Sequence, residues 1–84
     1  MAQRVKFLIE RHADGYVAYP LGLRRGVAVV GQGGTYQDAL TDAVSALRFT
    51  LDALPEGEVF DEDYTAQEVF VAEAEVPVSA EVPR

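Results

Sequence analysis

The sequence predicts a single α+β domain in which one helix packs on one face of a four-stranded mixed sheet. Two segments, 5–10 and 68–76, alternate between two faces, as half-buried strands do, and 16–19 is a further apolar run after a turn signal. A longer segment, 35–54, repeats its apolar residues at helical spacing. With a short apolar run at 27–30 as a further strand, the order is β-β-β-α-β. A meander followed by a right-handed crossover then gives the strand order 3-2-1-4.

The first two strands are predicted to form a hairpin. Residues 5–10 put Val5, Phe7 and Ile9 on one face. Asp14-Gly15 precedes a new apolar run, which is a strong signal for a tight hairpin turn. The second strand covers 16–19 and should end at Pro20, which has no N–H for the sheet.

The third strand and the helix are predicted on either side of a glycine-rich break. Val27 to Val30 is apolar on both faces, and Gly31 to Gly34 should serve the backbone geometry between strand and helix. Thr35 is placed to cap the helix, with Asp38 in its first turn. Pro55 should end it. The apolar stripe of the helix consists of Tyr36, Leu40, Ala43, Leu47, Leu51 and Leu54, and it is widened by the small residues Ala39, Ala46 and Ala53, which allow close packing on a sheet.

The last third of the chain is acidic. Residues 55–67 form a predicted acidic loop, and loops of this length are usually functional or mobile. Residues 68–76 should form the fourth strand, beside the first and parallel to it. We expect one domain over 1–84, with a core built from 4–54 and 68–77 and a frayed tail at 78–84.

Composition limits the classes of function. The 84 residues carry a net charge of -7 and no cysteine, so disulfides and thiolate metal sites are absent. The negative charge argues against nucleic acid as the main partner. Two explanations of the charge remain open: it serves solubility alone, or it serves the binding of a basic protein. We find no signal peptide and no apolar run long enough for a membrane helix. These observations predict a cytoplasmic protein.

A single helix leaves apolar surface uncovered on the predicted sheet. On the third strand, Val27 and Val29 lie on one face and Ala28 and Val30 on the other, so both faces are apolar. On the fourth strand, Val69 and Val71 share a face with two glutamates. Association into a homo-oligomer, face to face or through edge strands, would bury such side chains. Scattered exposed valines are also ordinary in monomers.

The chemistry-bearing residues favour binding over catalysis. A catalytic His12 would need an orienting carboxylate, and Asp14 is close in sequence, but neither Ser45 nor Ser79 has the context of a nucleophile, which favours a surface histidine. Asp61-Glu62-Asp63 offers oxygen ligands but lacks the spacing of a calcium loop. The glycines at 31–34 lack the signature of a phosphate loop. We therefore predict no catalytic residue, no cofactor and no metal site, with a carboxylate-metal enzyme as the least favoured alternative.

Short motifs in this order resemble the HicB antitoxin family over about residues 5 to 54. They are Phe7-Leu8-Ile9-Glu10, Asp14-Gly15-Tyr16-Val17-Ala18-Tyr19-Pro20, Gly31-Gln32-Gly33 and Thr35-Tyr36-Gln37-Asp38-Ala39-Leu40. The resemblance implies a partial ribonuclease H-like fold, self-association as a dimer or tetramer, and inhibition of a small basic mRNA-cleaving toxin of the HicA kind. Full antitoxins of the family add a C-terminal DNA-binding domain, which this sequence lacks, so direct DNA binding is not expected.

The leading hypothesis is therefore a HicB-like antitoxin, or a module derived from one, that neutralises a basic RNase by protein–protein contact. Its acids would substitute for RNA phosphates and attract the toxin. The alternative is a stand-alone structural or regulatory oligomer without a toxin. The residues predicted to bind the partner are Glu56, Glu58, Asp61, Glu62 and Asp63, and the predicted oligomer surface is Val27, Val29, Val69 and Val71.

Overall fold

A computed structural model describes residues 3–78 and has three strands and two helices. Strand β1 covers Phe7–His12, β2 covers Gly15–Pro20 and β3 covers Gly31–Gly33. Helix α1 covers Tyr36–Ala53 and the single turn α2 covers Glu56–Val59. The strands form an antiparallel sheet in the order β1-β2-β3. The α+β class agrees with the sequence, but the four-stranded sheet in the order 3-2-1-4 is wrong.

The first hairpin is confirmed. Strands β1 and β2 pair in a register that sets His12 opposite Gly15 and Phe7 opposite Pro20. The two residues between the strands, Ala13 and Asp14, form the turn. A bond from the N–H of Leu21 to the carbonyl of Lys6, at 2.9 Å, extends the pairing beyond the strand ends.

The third strand lies later in the chain than the sequence predicts. The valine segment 27–30 is irregular, and the glycines that follow it pair with β2 instead. A Cβ atom on Gly31 would stand 2.2 Å from the backbone nitrogen of Ala43 in α1. Only a strand without side chains lets the helix come this close. Gly31 and Gly33 therefore belong to the sheet, and not to an irregular connection between strand and helix.

The predicted fourth strand at 68–76 is wrong. Those residues have no regular structure and are exposed throughout, as is residue 77, which the sequence assigned to the core. Alternation tells which face of a strand is apolar but supplies no hydrogen-bonding neighbour. Apart from Val78, the predicted tail lies outside the described residues.

Helix α1 covers one face of the sheet as predicted. The backbone N–H of Asp38 donates to the Thr35 hydroxyl at 3.0 Å, which caps the first turn. The helix ends at Ala53, before Pro55. Its buried side chains, Ala39, Ala43 and Leu47, form a narrower stripe than the sequence indicated, and Tyr36 is 56% exposed.

Two small clusters form the core. At the end near the hairpin turn, Ala18 packs with Ala39 and Ala43. At the other end, Val29 packs with Leu47 and Val59, so α2 joins the core through Val59, which is fully buried. The small side chains of the first cluster keep helix and sheet close, and the second cluster attaches the chain after α1 to the body.

Candidate interaction surfaces

The acidic loop is held against the body by backbone hydrogen bonds. The N–H of Arg24 donates to the carbonyl of Val59 and the N–H of Asp61 donates to the carbonyl of Gly22, both at 2.9 Å. The Arg24 guanidinium also donates to the carbonyl of Gly57 at 2.9 Å. Because these bonds join 22–24 to 57–61, the loop has a defined position on the molecule.

All five predicted partner-binding acids are exposed, and they lie on this anchored part of the chain. Glu56 and Glu58 belong to α2, while the other three follow it. The N–H of Asp63 donates to the Asp61 carboxylate at 2.9 Å, which shapes the turn at 61–63. A shallow surface depression brings Asp61, Glu62 and Asp63 together with Arg24 and Arg25. Asp61 also borders a second depression lined by Arg4 and Lys6, so the five carboxylates outnumber the four basic side chains near them.

The acids of this surface have no ion-pair partner within the described range. Between residues 3 and 78, the one pair within salt-bridge distance joins His12 and Glu10, away from this surface. The same range contains no group of three or more metal-ligating side chains placed to hold an ion. The exposed carboxylates therefore form no direct ion pair with the basic side chains that lie near them.

The four valines of the predicted oligomer surface do not lie together as one exposed patch. Val29 is buried in the core against Leu47 and Val59. Val27 is half-buried beside the same cluster. Val69 and Val71 are exposed, at 41% and 77%, on the segment after the acidic loop. The structure therefore separates the two pairs into a core pair and a surface pair.

A polar cluster on the open face of the sheet was missed in the sequence. The Tyr19 hydroxyl donates to the Glu10 carboxylate at 2.6 Å, and the other carboxylate oxygen lies 2.8 Å from Nε2 of His12. Residues 10 and 12 share a face of β1, and Tyr19 reaches Glu10 diagonally across the ladder. The two-residue turn fixes this register, so the turn motif and the strand alternation together could have predicted the cluster.

Hydrogen bonds shift the pKa values of Glu10 and Tyr19 in this cluster. The hydrogen bond from Tyr19, followed by that from His12, lowers the pKa of Glu10 below its ordinary value. The same bond to Glu10 raises the pKa of Tyr19. Asp14, which the sequence suggested as the partner of His12, does not fill that role. Because the cluster is exposed on an open sheet and not enclosed in a cleft, its geometry suits surface recognition or local stability better than proton transfer.

The described residues contain no helix with the length and apolar character needed to span a bilayer. Comparison with family models, with curated proteins and with solved structures finds no match to this chain.

Proposed function

We propose that this chain is a protein-binding module of the HicB antitoxin kind, which neutralises a small basic RNA-cleaving protein by occupying its RNA-binding surface. The observation that carries this proposal is the acidic surface, whose five carboxylates are exposed on a loop that backbone hydrogen bonds hold in place. A surface that binds RNA is basic, and clustered carboxylates complement it while excluding the phosphates.

Anchoring is important because it lowers the cost of binding. A free acidic tail must be ordered when it meets its partner, and that ordering weakens the complex. Here the bonds from Arg24 and Asp61 hold the loop on the body beforehand. The acidic surface is therefore suited to recognition of one partner, beyond the nonspecific attraction that a net charge of -7 exerts on any cation.

Strand β1 has no further strand beside it in the described sheet, and residues 68–78 after the acidic loop are exposed; both observations favour a second function, a stand-alone oligomer without a toxin. Under that alternative, the acids serve solubility and the chain binds chiefly to itself. The two functions differ in whether a basic partner forms a salt-dependent complex through the acidic surface.

The test is a titration of the purified chain with the protein encoded by a small basic reading frame beside its gene. Glu62→Gln/Asp63→Asn removes two exposed charge pairs that contribute roughly 0.2–1 kcal/mol each, and the midpoint of their sum, about 1.2 kcal/mol, weakens the complex about eightfold. The matched control Asp14→Asn/Asp42→Asn removes the same charge elsewhere and should change affinity by no more than about twofold. If both variants weaken the complex equally, net charge alone explains the affinity, and specific binding through the acidic surface is refuted.

A further inference from the structure

An apolar groove of about 650 Å³ opens between the start of β1 and helix α1. Its volume lies within the range of about 300–1,000 Å³ that is typical of ligand-binding clefts. The residues of its apolar lining come from both elements and from the chain on either side of them, and they are Val5, Phe7, Val44, Leu47, Leu51 and Phe60. The groove is therefore large enough to receive a side chain from another molecule.

The floor of the groove belongs to the core. Leu47 is buried and packs with Val29 and Val59. Four other lining residues are half-buried and pack against the same cluster: Val5, Phe7, Leu51 and Phe60. Because the core holds these side chains in place, the groove exists before a partner arrives, and less order has to be imposed when one binds.

The groove adjoins the acidic surface. Glu56, one of the five acids, lines the groove itself. Phe60 lines both the groove and the depression that contains Asp61, Glu62 and Asp63. A partner whose cations meet the acidic surface therefore has the groove beside its binding site.

The charges around the groove select the kind of side chain that enters it. Its polar lining residues are Gln3, Arg48 and Glu56, and no ion pair joins Arg48 to Glu56. The Glu56 carboxylate is thus available to a cation from outside, while Arg48 attracts no cation. An apolar side chain with a lysine or arginine next to it complements the groove and Glu56 together.

Charges alone give a weak complex. Exposed ion pairs contribute little each and are screened by salt, whereas a few side chains buried in pockets supply most of the binding energy of a protein interface. We infer that the basic partner inserts one apolar side chain, of leucine or phenylalanine size and flanked by lysine or arginine, into this groove. The anchor rests on the proposed function and supplies the apolar contact that the acidic surface lacks.

Two synthetic peptides of equal charge separate the groove from the acidic surface in NMR titrations. One peptide has a leucine between lysines, and the other has a serine in its place. Both should shift the amide signals of residues 56–63 at low salt. Only the leucine peptide should also shift those of Phe7, Val44 and Leu51, and it should bind about tenfold more tightly.

Two variants of α1 extend the test to the basic partner protein. Val44→Gln places a polar amide in the groove and should weaken the complex about tenfold at low and at high salt alike, since salt does not screen apolar contacts. The matched control is Phe49→Gln, because Phe49 is 76% exposed on the same helix and does not line the groove. It should change the affinity by less than about twofold.

Each contrary result has its own meaning. Equal affinity of the two peptides, with shifts at residues 56–63, would overturn the anchor and leave the proposed function standing, as would equal effects of Val44→Gln and Phe49→Gln. Peptides that leave the signals of 56–63 unchanged would contradict the anchor and the acidic surface together. If Val44→Gln alters the oligomeric state in sedimentation equilibrium but not the affinity for the partner, a second copy of the chain occupies the groove and the inference is wrong.

Discussion

Replacing Gly31 with alanine tests the close packing of helix on sheet. The added Cβ would lie 2.2 Å from the nitrogen and 2.6 Å from the Cα of Ala43, and 2.8 Å from the carbonyl oxygen of Ala39. All of these atoms are helical backbone, so no side-chain rotation relieves the overlap. Helix α1 has to move away by about 1 Å before these atoms reach ordinary contact. That movement loosens the packing of Ala18 on the helix.

The expected cost is large for so small a domain. Overpacking costs about 1–3 kcal/mol and more in rigid places, and a clash with backbone belongs at the upper end, about 3 kcal/mol. An 84-residue chain has a total stability of only about 4–13 kcal/mol. The melting temperature should therefore fall by about 12–24 °C.

Circular dichroism melts of Gly31→Ala and the control Gly34→Ala measure this effect. A Cβ on Gly34 meets no atom within 4 Å, so its melting temperature should change by less than about 5 °C. If Gly31→Ala melts together with wild type, the helix does not pack on β3 as described, and the assignment of the glycines to the sheet fails.

Two further predictions concern the core and the polar cluster. In urea unfolding, Val59→Ala should lower the free energy of unfolding by about 1.5–3 kcal/mol, because the Val59 side chain is fully buried. The control Val30→Ala should lower it by less than about 0.5 kcal/mol, because the Val30 side chain is 56% exposed. Equal losses in the two variants would mean that α2 is not part of the core. Tyr19→Phe should raise the pKa of Glu10 toward its ordinary value of 4.5, as followed by NMR titration of its carboxyl carbon, while Tyr16→Phe should leave it unchanged. Because folding lowers the pKa of Glu10, its stabilising effect is present above that ordinary value and disappears as the pH falls through the lowered one. Wild type and Tyr19→Phe should therefore differ in stability above about pH 4.5 and converge in stronger acid; an unchanged pKa in Tyr19→Phe would contradict the hydrogen bond.

Local signals were sufficient for the hairpin and the helix. Asp14-Gly15 fixes a tight turn between alternating segments, and Thr35 and Pro55 bound a continuous helical repeat. In each of these places, propensity, pattern and end signals agree, and the structure follows them. The register of the hairpin also places Tyr19 diagonally across from Glu10 and therefore predicts their contact.

Long-range packing decided the parts that the sequence did not predict. Gly31 and Gly33 have low strand propensity, and they pair with β2 because the helix above them leaves no room for side chains. Val29 has the pattern of a strand residue, but it fills the space between Leu47 and Val59. The placement of the acidic surface depends on bonds between segments more than 30 residues apart, such as Arg24 to Gly57, which no local pattern encodes.

Residue-resolved NMR during titration with the basic partner protein shows whether the acidic surface binds it. At low salt, the amide signals of residues 56–63 and of Arg24 should shift or broaden first, while those of the hairpin turn at Ala13 and Asp14 stay in place. Added salt should reverse the changes, since it screens exposed charges. No spectral change at low salt, or changes centred on the hairpin turn, would contradict the proposed function.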